Sequence, residues 1–82
     1  MENFKSATNI SMDGTGKTPG KHKACMLNAG TATNPGFTLG FRSSDGILNS
    51  THIKIGSNTS AFIPTRVYGI TGIANSSATF FN

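Results

Sequence analysis

Acidic side chains are scarce. Glu2, Asp13 and Asp45 are the whole supply in 82 residues. A carboxylate pair for glycosidic chemistry would need two of these three, and they share no local cluster. Cysteine occurs once, at Cys25, so no intrachain disulfide can form and a disulfide scaffold is excluded. There are two histidines, His22 and His52. Four zinc ligands in close pairs cannot be assembled from such a set. His22 reads as a solvated side chain and Cys25 as a small core residue. The longest apolar run is Ala24-Cys25-Met26-Leu27, far short of the roughly 20 residues of a membrane helix. No apolar stretch of the signal-peptide kind follows Met1. The expectation is a protein made in the cytoplasm, with no membrane partner. Charged residues amount to 12%, which argues against a coiled coil and against a highly charged disordered tail.

Small polar residues fill the gap. Gly, Ser, Thr and Asn make up 38 of the 82 positions, and hydrophobic residues only 35%. One small domain of this size buries on the order of 60% of its unfolded surface, so contact with neighbours would add to its stability. Glycine and proline recur too often for an amphipathic helix. Period-two patterning is clear instead. Phe37-Thr38-Leu39-Gly40-Phe41-Arg42 alternates between the turn signals Asn34-Pro35-Gly36 and Ser43-Ser44-Asp45-Gly46. Thr51-His52-Ile53-Lys54-Ile55-Gly56 alternates again. Residues 61–71 read as one longer strand, bent or on an edge at Pro64, with Ile63 and Val67 on one face and Phe62, Arg66, Tyr68 and Ile70 on the other. Ser77–Phe81 closes the set, and a short strand covers Ala24–Leu27. The expected fold is all-β, a small sandwich or barrel of about five or six short antiparallel strands. Phe37, Leu39, Phe41, Ile53, Ile55 and Val67 are expected on one buried face.

Residues 1–23 read differently. Apolar side chains are sparse, and Asp13-Gly14-Thr15-Gly16-Lys17-Thr18-Pro19-Gly20-Lys21 suits neither a helix interior nor a central strand. The expectation is an extended basic arm over 1–23, ordered by a partner, attached to a β-domain over 24–82. Four of the five lysines, Lys5, Lys17, Lys21 and Lys23, lie in it, and the net charge is +4. Phe4, Ile10, Met12, Lys17, Lys21 and Lys23 are the candidate partner-binding residues.

Gly14-Thr15-Gly16-Lys17-Thr18 looks like the end of a phosphate-binding P-loop, but Ser11 stands where the motif's first glycine belongs. Pro19-Gly20 follows where a helix should open. No cofactor is expected. Cys25 with either histidine could form a nucleophile pair, yet so short a chain leaves little room for a pocket and its support, so no enzyme is expected. A nucleic-acid-binding β-barrel that uses the basic arm is the alternative from another class. The strands carry few basic residues and their aromatics alternate as core, which makes nucleic acid the lesser expectation.

The segment Phe62-Ile63-Pro64-Thr65-Arg66-Val67-Tyr68-Gly69-Ile70-Thr71, then a polar turn, then Ala78-Thr79-Phe80-Phe81, resembles the C-terminal halves of small structural proteins of tailed bacteriophages. Those often close with an aliphatic-Pro-x-Arg-Val strand, a turn and a last apolar strand. The resemblance implies a capsid decoration, or cement, protein on the outside of a virion. It implies the major capsid protein and further copies of the chain, as a homotrimer, as partners. A tail or fibre component of such a virion is the neighbouring reading.

Overall fold

Short alternating segments bounded by Gly, Pro and Asn become strands throughout. The computed structural model describes residues 5–33 and 36–82. Eight strands follow one another, and no helix occurs among the described residues: β1 (Ala7–Ser11), β2 (Gly16–Lys17), β3 (Ala24–Asn28), β4 (Gly36–Arg42), β5 (Leu48–Lys54), β6 (Ser60–Ile63), β7 (Gly69–Gly72) and β8 (Ser77–Phe81). They form two four-stranded antiparallel sheets, in the order β1-β8-β3-β6 and β2-β7-β4-β5. The pairs β1·β8, β2·β7, β3·β6 and β4·β5 are the rungs of one long folded hairpin. The added pairs β3·β8 and β4·β7 stitch those rungs into two sheets. This is the connectivity of a double-sheet jelly roll.

Alternation decides which side chains meet between the sheets. The first sheet turns Cys25, Leu27, Ala78 and Phe80 inward, and the second turns Phe37, Leu39 and Ile70. Met12 and Val67, from connections, complete this core. Phe37 stands opposite Gly72 on β7. A Cβ on Gly72 would stand 2.7 Å from Met12 Cγ and 3.0 Å from the Phe37 ring, so only glycine leaves room there for both side chains. The β4–β5 hairpin is made by Ser43-Ser44-Asp45-Gly46. Gly46 takes a φ of 87°, which glycine adopts without strain, and its N–H donates to the Ser43 carbonyl at 2.9 Å. The Asp45 carboxylate accepts from the Ser43 hydroxyl and from the Ile47 N–H, and the hydroxyl bond holds its pKa below the usual carboxylate value.

Several expectations are corrected. The all-β class holds, but the strands number eight, not five or six. The arm expected over 1–23 is not confirmed: β1 pairs within the first sheet and β2 within the second. An apolar-poor segment enters the sandwich because β8 and β7 supply ladder partners, and backbone hydrogen bonds need no apolar side chain. Met12, expected at a partner surface, is 3% exposed. The single strand expected over 61–71 is two strands in different sheets. Pro64, which has no N–H to donate, starts the crossover between them, and Ile70 therefore points into the core beside Val67. Phe41, Ile53 and Ile55 are half-buried because β5 is an edge. Phe4 and the Asn34-Pro35 part of a turn signal lie outside the described residues.

Candidate functional site

The ends of the described chain meet on the first sheet. The strands β1 and β3 flank β8, so Lys5 and Lys23 bracket its last residues. The Lys5 N–H donates to the Asn82 carbonyl and the Lys23 N–H to the Phe81 carbonyl, each at 2.7 Å. The Asn82 amide donates to the Ser6 hydroxyl at 3.1 Å. Around this knot Lys5, Lys21, His22, Lys23 and Asn82 line an open cavity of about 320 Å³. A second hollow of about 250 Å³ runs beside it, past Thr8, Ile10 and Phe80. Three ammonium groups at one end of a body with three acids in all give that end a positive field.

His22 holds the floor. It is 6% exposed, not solvated as the sequence reading had it. The Val67 N–H donates to its Nε2 at 2.9 Å, so Nδ1 carries the ring proton and donates to the Gly20 carbonyl at 2.8 Å. Its edge meets the Phe80 ring, with centroids 4.8 Å apart and planes at 63°. Both ring nitrogens are thus spent on pinning the β6–β7 crossover to the loop before β3. The sequence reading missed Lys5 and His22 as parts of this end. The signal it lacked was the β1·β8 register, which joins residues more than seventy positions apart.

Of the residues expected to bind a partner, Ile10, Lys21 and Lys23 come together here. Lys17 does not. It sits in the other sheet, and its Nζ lies 3.2 Å from the Asp13 carboxylate. Asp13 also accepts from the Thr15 hydroxyl and N–H. Those bonds, with Lys17, hold its pKa at about 2. The Gly14-Thr15-Gly16-Lys17-Thr18 segment is therefore a turn into β2, closed on itself. It opens no helix and presents no phosphate cradle.

A second feature lies on the outer face of the first sheet. The register sets Phe62 opposite Met26 and Phe81 opposite Ala24. Phe62 is 53% exposed, and its ring centroid is 6.3 Å from that of Phe81. With half-buried Met26 and Phe81 they form an outward apolar patch beside the edge strand β6. In the crossover, two guanidinium groups stand over the Tyr68 ring, Arg42 at 5.1 Å and Arg66 at 4.4 Å from its centroid.

Cys25 is wholly inside the first sheet, and desolvation pushes its thiol up to about 11. It stays protonated at neutral pH, and protonated thiols are poor nucleophiles. The native protein should react with an aromatic disulfide reagent only as fast as it unfolds. A stoichiometric burst on mixing would show an open path to the thiol.

No family model, no curated protein and no solved structure matches the chain.

Proposed function

We propose that the chain is a structural virion protein of the capsid-decoration type, which docks on the outside of a shell and ties neighbouring subunits together. The observation that carries this reading is the Phe62, Phe81 and Met26 patch on the outer face of the first sheet. An aromatic ring of this size left half in water on a sheet face suits docking on another protein. The lysines at the adjoining end favour an acidic rim on that partner. The jelly-roll connectivity supports the reading by analogy, since viral capsid domains reuse it. So does the resemblance of the closing strands to small phage structural proteins.

The test is binding of the purified chain to undecorated capsids. Phe62→Ser should weaken it by roughly 10- to 30-fold. The wild type should hold through moderate salt, because its anchor is apolar. Unchanged binding by Phe62→Ser would sink the proposal. So would an affinity that collapses about a thousandfold between roughly 50 and 200 mM salt, the mark of phosphate contacts. That second result would favour nucleic acid at Lys5, Lys21 and Lys23.

A further inference from the structure

The edge strands of the two sheets are not equally protected. Natural sheets guard their edges with short strands, proline, bulges or charge. Strand β2 has two residues, β6 has four and ends at Pro64, and β1 has five. By contrast β5 offers seven residues, Leu48-Asn49-Ser50-Thr51-His52-Ile53-Lys54, with no proline and a single lysine at its end. The two most exposed large apolar side chains among the described residues flank its start: Ile47 at 59% and Leu48 at 57%.

The hairpin fixes which backbone groups of β5 face outward. The Ser43 N–H donates to the Ile47 carbonyl at 3.0 Å, and the Gly40 carbonyl accepts from Tyr68, on the β7 side, at 2.7 Å. Bonding alternates along an antiparallel pair. Ser50, opposite Gly40, therefore turns its N–H and C=O away from β4, as do Leu48, His52 and Lys54.

We propose that a second copy of this chain pairs antiparallel along β5, about a twofold axis at Thr51, to make one continuous eight-stranded sheet. In that register Ser50 meets His52 of the second copy, so outward donors and acceptors face each other. Leu48 meets Lys54, whose alkyl stem covers it while the ammonium reaches water. Just beyond the strand, Ile47 meets Ile55. Both exposed aliphatic residues are thus covered, and no like charges are opposed. Centring on Ser50 or His52 instead would pair only five of the seven strand residues and would leave Lys54 or Leu48 unmatched. A twofold edge contact is isologous and closes at two copies. This inference does not depend on what the assembly docks to.

Sedimentation across a concentration series should give the full chain a mass twice its 8.5 kDa. Thr51→Lys places like charges directly opposite each other and should return the monomer, while Thr51→Val should stay dimeric. Thr51 is exposed, so its variants leave the core untouched. Thr51→Cys should give a disulfide-linked dimer under mild oxidation, because facing Cα atoms of a non-hydrogen-bonded pair lie about 4.5 Å apart, within disulfide reach. Ser50→Cys should not link. A monomeric or trimeric wild type would overturn the proposal. So would a dimer that survives Thr51→Lys while Thr51→Cys fails to link; that dimer would use another surface.

Discussion

Replacing Phe37 with alanine should lower the thermal midpoint by roughly 12–40 °C. Phe37 is completely buried and stands between Ile53 and Gly72 in the register. Truncating a buried phenylalanine costs about 3–5 kcal/mol. Each kcal/mol moves the midpoint of a domain this size by about 4–8 °C. Its cross-strand neighbour Gly72 has no side chain to move into the gap. Against a total stability of roughly 4–12 kcal/mol for 82 residues, that loss takes from about a quarter of the margin to all of it. Circular dichroism melts decide the matter. A shift of only a few degrees would mean that the sheets do not meet at Phe37. The half-buried Phe41 is the control, and Phe41→Ala should cost clearly less.

Deleting residues 1–20 should abolish folding altogether. The deletion removes β1 and β2, strips β8 and β7 of one ladder each, and takes Met12 out of the core. It also removes the Gly20 carbonyl that orients His22, and with it the clamp on Val67. A one-dimensional proton spectrum should lose its dispersed amide and methyl signals. A truncated chain with a native spectrum would restore the view of residues 1–20 as a separable arm. The experiment separates the two architectures without any binding partner.

Strands β4 and β8 were legible because their alternation is strong and their flanking turns are marked by Asp-Gly, Asn and Ser. Strand β3 was legible from its apolar run. What alternation reports is one-sided burial, so a strand without it is silent. β1 carries Ala7-Thr8-Asn9-Ile10-Ser11, mostly exposed, and β2 is two residues long. Both exist because of partners at the far end of the chain, which no local window contains. The same holds for the candidate site. Lys21 and Lys23 were visible as a basic run, but their convergence with Lys5 follows from β1 and β3 sharing β8. His22 looked solvated because nothing local announces Val67 as its donor, 45 positions away. Pro64 read as a bend within one strand, whereas β6 stops just before it. The change of sheet that follows depends on where β7 finds β4.

The register of the first sheet has a consequence for the timing of folding. Ala7 is paired with Phe81 and Ser11 with Ser77, so β1 leaves the ribosome long before its partner β8. The central hairpin, β4 with β5, can close as soon as it emerges, within on the order of 1–10 μs. The outer rungs then close in turn, each over a longer loop than the one before. Such non-local topologies reach the native state on the order of milliseconds to seconds. Until Phe81 has been made, Ile10, Cys25 and Leu27 have no β8 to cover them. Throughout synthesis the nascent chain carries an open sheet edge, and at a translation rate of roughly 5–20 residues per second that interval lasts several seconds.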